Sequence, residues 1–142
     1  MSDLPEGFKP LFRTSPFIDL VGPVFYRDGV EGGFVLGLRI EEKHCNGRGF
    51  AHGGLFMTLA DIALGYNTAL SVDPPANLTT ASLTTDFVGT VRKGDWLEIE
   101  VEIERLGNRL AFANAHMNVD GKRVCRASAV FSRSEAAVRS AG

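Results

Sequence analysis

From Gly53 to Leu70 the sequence reads GGLFMTLADIALGYNTAL, a run almost wholly apolar that carries a single charge, Asp61. Leu55, Leu59, Ile62 and Tyr66 recur at helical spacing with Phe56, Ala60 and Ala63 beside them, and the opposite side is hardly more polar. A helix that is apolar on nearly all faces belongs in a core or in a membrane. Here Gly53, Gly54, Gly65, Asn67 and Asp61 interrupt a stretch barely long enough to span a bilayer, so the expected element is a buried central helix. The segment SVDPPAN ends it, because Pro74 and Pro75 cannot continue a helix and push their predecessors towards extended backbone. The rest of the chain has to cover this helix.

The chain beyond Pro75 is β-forming. LTTASLTTDFVGTV is rich in β-branched residues, and WLEIEVEIERL sets Leu97, Ile99, Val101 and Ile103 against Glu98, Glu100, Glu102 and Glu104, the pattern of a sheet with one wet face. Gly107 and Asp120-Gly121 punctuate RLAFANAHMNV and KRVCRASAVFSR into further long antiparallel strands. Ahead of the helix, GPVFYRDGVEGGFVLGLRI predicts two strands around an Asp28-Gly29 turn, where Asp-Gly supplies the positive φ of a tight hairpin. Residues 1–20 mix Pro, Gly and Phe without either period; they predict an irregular lead-in with at most one short helix, its Phe8, Phe12 and Phe17 packed onto the remainder. Residues 135–142 are small and polar and predict a frayed tail. With 142 residues, 44% apolar and 23% charged, the composition is that of one domain, 1–142, around a single core. Two strands, one long helix and then a run of strands give an α+β fold in which a curved antiparallel sheet buries the helix on its concave side.

A formal net charge of −2 without any like-charge block argues against a nucleic-acid partner, which needs a basic face. A few local arginines could still hold an anionic ligand. Cys45 and Cys125 form neither a CxxC pair nor a disulfide framework and read as buried small hydrophobes in a reducing compartment. MSDLPEGFKP has acids and prolines where an export signal needs a basic stretch and an apolar run, so the expected location is cytoplasmic, with no membrane partner.

AHGGLFMTLADIALG resembles the His-Gly-Gly motif and following helix of the hotdog-fold thioesterases, specifically the phenylacetic-acid-degradation (PaaI-like) acyl-CoA thioesterase group. The resemblance runs from SPFIDLVGP through the last strand. It implies a long helix wrapped by a curved sheet, subunits paired edge to edge into a homodimer or homotetramer, and active sites at the subunit interface. It also implies hydrolysis of an acyl-CoA thioester without a metal or other cofactor.

Thioester hydrolysis needs a base or nucleophile and donors for the oxyanion that develops on the carbonyl. Gly53 and Gly54 open the helix, where backbone N–H groups lack intrahelical partners and the dipole favours negative charge. A carbonyl oxygen can approach the Gly53 N–H directly; alternatively the glycines only permit a tight turn or close packing. Asp61, an acid inside an apolar helix, is either satisfied by core donors such as a threonine hydroxyl or kept for chemistry. The resemblance makes it the general base or nucleophile, acting on the thioester bound at the other subunit's Gly53. Asn46 falls where the family often carries an Asn or Gln that holds the carbonyl or the water, although Asn46-Gly47 is also a ready turn. Thr80, with Thr79 as the alternative, matches a hydroxyl that orients the nucleophilic water, and plain β propensity explains either.

His52 is expected to cap or pack at the helix start rather than to catalyse, since no Ser or Cys nucleophile partners it. His44 and His116 lack metal-ligand spacing. Phe56, with Met57, Tyr66 and Phe87, lines an acyl tunnel or packs the core. Arg92 and Lys93 in TVRKGD, and more remotely Arg126, are the candidates for the CoA phosphates, or else form a solvated turn. A hotdog hydratase or dehydratase would normally place a His beside the acid, and the central helix has none. A non-catalytic acyl-CoA binder is the third reading.

Overall fold

The computed structural model describes residues 4–135. The predicted frayed tail therefore lies, except for Glu135, outside the described residues. Seven strands form one antiparallel sheet: β1 (Lys9–Pro10), β2 (Phe25–Asp28), β3 (Phe34–Arg39), β4 (Asn77–Phe87), β5 (Trp96–Leu106), β6 (Leu110–Val119) and β7 (Lys122–Ser134). Their order across the sheet is β1-β2-β3-β5-β6-β7-β4. Among the described residues two helices, α1 (Pro16–Val21) and α2 (Gly53–Ala69), complete the fold with a 3₁₀ turn at Glu42–His44. Among the described residues no helix is long and apolar enough to cross a membrane.

The lead-in carries the one short helix expected of it. Ser15 caps α1 by accepting from the Ile18 N–H, and Pro16 sits at its first position, where a missing N–H costs nothing. The β2–β3 hairpin departs from expectation. Gly29 does not take a positive φ; the strands are joined by a longer loop whose left-handed positions are Gly32 and Gly33 at φ 94° and 69°. Asp-Gly does what it is suited for at the β6–β7 turn, where Asp120 and Gly121 have φ 51° and 79°.

α2 lies in the bend of the sheet and touches β3, β4, β5, β6 and β7. Its buried arc runs through Phe56, Leu59, Ala60, Ala63 and Leu64, each of the large side chains contributing about 1.5–3 kcal/mol by leaving water. Alternate residues Ala111, Ala113 and Ala115 of β6, small enough to let the helix approach, and the larger Met117 join the same core from the sheet side. The expectation of a helix buried all round needs correcting for the single chain: Ile62 and Tyr66, placed in the predicted stripe, are only half-buried, as are Asp61 and Gly65. α2 thus has one covered and one open flank.

Two polar side chains lock this arrangement. Asn67 is buried at 5% exposure because its amide behaves like a piece of strand: Oδ1 accepts from the Phe34 N–H at 2.9 Å, and Nδ2 donates to the carbonyls of Phe34 at 3.1 Å and Ala63 at 3.0 Å. His44, also buried, accepts from the Glu41 N–H at Nδ1 (2.9 Å) and lies 2.6 Å from the Val21 carbonyl through Nε2. A carbonyl only accepts, so Nε2 carries the proton. The His44 carbonyl in turn accepts from the His52 N–H at 2.9 Å. One residue thus ties the end of α1 to the start of α2.

At the sheet's far edge β4 pairs only with β7, bulging between Thr80 and Ser82. Its outer side is an open row of backbone groups, and most of its residues are exposed. The opposite edge is the two-residue β1.

Candidate active site

Asp61 lies on the open flank of α2, halfway along the helix. Its Oδ1 accepts from Thr80 Oγ1 at 2.6 Å, across from the first half of β4. No other hydrogen bond or ion pair reaches this carboxylate among the described residues. Thr79, which alternates to the other side of β4, makes no side-chain hydrogen bond there. Asp61 and Thr80 stand at the wall of a pocket of about 430 Å³ between the lead-in, α2 and β4, whose other lining includes Phe12, Phe17, Ile62, Tyr66 and Leu78.

Gly53 and Gly54 form the first turn of α2, and neither N–H makes a hydrogen bond among the described residues. Both amides are open donors at the positive end of a long helix. A Cβ built on Gly53 would sit 3.3 Å from the Phe87 ring, whereas one on Gly54 would meet nothing within 4 Å. His52 occupies the N-cap position at the helix start; its side chain is exposed and makes no capping hydrogen bond. Its backbone, held by His44, fixes where the helix begins. Phe56 is in the core, 4% exposed, with its ring 6.0 Å from that of Phe87.

Gly53 and Asp61 are eight residues apart on one helix, so about 12 Å separates the open amides from the carboxylate of the same chain. A single thioester carbonyl cannot touch both.

Asn46 shapes the loop that leads into α2. Its Oδ1 accepts from the N–H groups of Arg48 (2.8 Å) and Phe50 (3.2 Å), which pins the amide plane and leaves Nδ2 as a donor without a partner among the described residues. The ready turn foreseen for Asn46-Gly47 is therefore present, and the side chain retains donating capacity beside it. Phe50 bridges to Arg92, bringing TVRKGD against this loop. Arg92 stacks over the Phe50 ring at 5.0 Å and Arg48 approaches it at 5.9 Å. Lys93 reaches Glu42 at 3.7 Å with both side chains exposed. Arg126 is committed to Asp86 at 2.9 Å on β4.

Sequence reasoning passed over Arg48 and Arg13, and had Phe12 only as an aromatic packed onto the remainder. Arg48 could have been found, because it lies between Asn46 and Gly53. Phe12 and Arg13 reach the pocket only through the return of the lead-in across α2, which no local pattern encodes. His116 is on the outer face of β6, opposite Glu100 and Arg126; burial first and then Arg123 lower its pKa, and it takes no part here. Among the described residues no group of three His, Cys, Asp or Glu side chains is gathered as metal ligands.

A long helix cupped by an antiparallel sheet, with a glycine-opened N-terminus and an acid halfway along, is the hotdog thioesterase architecture. The sequence profile of the thioesterase superfamily matches residues 48–126, over half of the chain, and the chain belongs to that superfamily. It is 50% identical over 131 residues to a Pseudomonas aeruginosa protein named "Putative esterase PA0474", covering 92% of this chain and 98% of that one. It is 23% identical to human acyl-coenzyme A thioesterase 13 over 114 residues, 80% of this chain and 81% of the relative. In fold it is similar to a phenylacetic acid degradation-related protein of Ralstonia eutropha (TM-score 0.74, 20% identity, 84% of this chain and 92% of that one).

Proposed function

We propose that the protein is an acyl-CoA thioesterase that hydrolyses the thioester of an acyl- or arylacyl-CoA to the free acid and CoA. The observation that carries the reading is the state of Asp61: a carboxylate on the wall of an apolar pocket, held by one neutral hydroxyl and otherwise uncommitted. A structural acid in such a place would be expected to gather several donors. The names of the P. aeruginosa and human relatives support hydrolysis, and that of the human relative supports acyl-CoA as the substrate class.

In this reading Thr80 fixes Asp61 through Oδ1 and leaves Oδ2 to take a proton from water or to attack the carbonyl carbon itself. The Gly53 N–H, assisted by Asn46 Nδ2, receives the negative charge that develops on the carbonyl oxygen. Gly54 and His52 border the thioester and Phe56 supports the wall beneath it. Arg92 and Lys93, joined by Arg48, face the CoA phosphates. The separation of about 12 Å between acid and oxyanion donor within one chain requires the two to come from different subunits. The exposed β4 edge is the means: pairing with the same strand of a second copy extends the sheet and brings one chain's Asp61 towards the other's Gly53. Sedimentation should give a homodimer or homotetramer, and a fully active monomer at micromolar concentration would remove the shared site.

Asp61→Asn tests the core of the proposal. The amide keeps an acceptor for Thr80, so the melting temperature should hold while turnover falls roughly a hundredfold to ten-thousandfold. A destabilised protein with near-normal turnover per folded site overturns the catalytic role. If turnover does fall, a single-turnover reaction of the parent enzyme in heavy-oxygen water tests for the nucleophile: a base always delivers solvent oxygen to the acid, whereas an Asp61 anhydride opened by water at the aspartyl carbon delivers an unlabelled Asp61 oxygen, so unlabelled acid in the first turnover identifies the nucleophile.

A further inference from the structure

We propose that Arg13 and Tyr66 form a recognition site for the far end of the acyl group, selecting acyl chains with an apolar body and a terminal carboxylate. This rests on the thioesterase reading of Asp61 and goes beyond it by naming the acyl class.

The pocket has a direction. Its wall on α2 is made by Asp61, Ile62, Gly65, Tyr66 and Ala69, so it runs from the acid towards the C-terminal end of the helix. Tyr66 is five residues beyond Asp61, about 7.5 Å along the axis. A thioester carbonyl placed at Asp61 therefore sends its acyl chain past Ile62 and ends it near Tyr66. The remaining walls are largely apolar, with Phe12 and Phe17 from the lead-in, Ile62 from α2 and Leu78 from β4, beside the polar Ser15, Asn77 and Thr80. The apolar groups suit methylenes.

The far end differs. Arg13 lines the pocket with its guanidinium 5.9 Å from the centre of the Tyr66 ring. The ion pairs of the described residues use Arg27, Lys93 and Arg126, and none uses Arg13. Asp19, the acid nearest to it in sequence, is engaged by the Thr14 hydroxyl. The Tyr66 hydroxyl also makes no hydrogen bond among the described residues. Asp61 is the only acid in the pocket wall among the described residues and stands at the opposite end. The pocket thus has a negative and a positive pole joined by a largely apolar lining. A carboxylate tail is matched to the Arg13 fork and the Tyr66 hydroxyl, and is repelled if the chain enters the wrong way round.

Phe12 holds this end in place. Its ring packs against those of Tyr26, Phe34 and Tyr66 at 5.0, 5.3 and 5.8 Å, so the lead-in that carries Arg13 is anchored to both sheet and helix.

The test compares adipoyl-CoA with hexanoyl-CoA, which share chain length and differ in the terminal group. The parent enzyme should favour adipoyl-CoA in kcat/KM. Arg13→Met, which keeps the apolar stem and removes the charge, should lower that ratio roughly tenfold, the loss of one charge-assisted contact at a partly wet site, with hexanoyl-CoA hydrolysis little changed. Tyr66→Phe should lower it by a smaller factor. In parallel, calorimetric binding of both thioesters to Asp61→Asn should show the same Arg13-dependent preference without turnover. A ratio unmoved by Arg13→Met in both measurements overturns the acyl-end site and leaves the thioesterase reading intact. Absence of hydrolysis with an intact binding preference removes the thioesterase reading and keeps the site.

Discussion

Gly53→Val puts the open amide of α2 to a quantitative test. A Cβ at this position lies 3.3 Å from Cζ and 3.4 Å from Cε1 of Phe87, and the two γ carbons of valine extend further into the same space. The ring is 52% exposed and can swing towards solvent, so the overpacking cost falls at the low end of the range, about 1 kcal/mol. Valine is a few tenths of a kcal/mol better than glycine in a helix, which offsets part of this. The net loss should be about 0.5–1 kcal/mol, or about 2–4 °C in melting temperature for a chain of this size. Catalysis should respond out of proportion. If the Gly53 N–H receives the oxyanion, side-chain bulk between it and Phe87 obstructs the carbonyl, and kcat falls about tenfold to a thousandfold. Gly53→Ala, whose methyl stands 3.3 Å from an exposed ring that has to give by a few tenths of an ångström, should fall between parent and valine in rate with little change in stability. The assay is thiol release from an acyl-CoA, normalised to the folded fraction measured by circular dichroism. A valine variant that is folded and turns over within about threefold of the parent refutes the oxyanion assignment, because no donor in direct contact with the reacting carbonyl could be screened at so little loss.

Other positions make separate demands. Asn67→Leu removes three hydrogen bonds and leaves the Phe34 N–H and carbonyl buried without that partner, so urea unfolding should show a loss of about 2–5 kcal/mol; a loss under about 1 kcal/mol would mean the amide does not brace α2 against β3. Burial and then Asp86 push the Cys125 thiol up to about 11, above its ordinary 9.0. The unfolded chain then releases this proton first, so the contribution is fully present below pH 9 and is lost as pH rises towards 11. Cys125→Ala should flatten that alkaline decline, and thiol reagents at pH 8 should reach Cys125 only on unfolding. Asn46→Ala, which frees the Arg48 and Phe50 amides and deletes Nδ2, should lower turnover about tenfold or more; unchanged kinetics would return Asn46 to loop building alone.

The elements that could be read from the sequence are those whose signal is local. β5 shows its alternation in four regularly spaced glutamates, α2 is bounded by Gly53 and the Pro74-Pro75 pair, and Asp120-Gly121 marks its turn through the φ angles those residues tolerate. The β2–β3 loop is ambiguous because Asp28-Gly29 and Gly32-Gly33 offer the same conformational freedom within one short segment, and only strand register chooses between them. The composition of α2 overstates its burial for a related reason. Hydropathy records what a side chain tolerates, so a flank left open in one chain has the same composition as one covered within it. The candidate site divides likewise: Gly53 and Asp61 are visible because a glycine pair and a lone acid are unusual in an apolar run. His44 and Arg13 act through contacts with segments far away in sequence, Val21 and Tyr66, that no spacing rule connects.

The unequal edges of the sheet also limit how far copies of this chain can stack. One side ends in eleven residues of β4 with their outer backbone groups open, and the other is closed off by the two residues of β1. A sheet with two good edges could add copies head to tail without end, the geometry of a filament. With one, two chains that meet through it use up their only available seam, and the joined sheet presents β1 at both of its ends. Growth by strand addition stops at the pair. In the pair proposed above, the long β4 edge would be covered and so withdrawn as a template for unrelated strands.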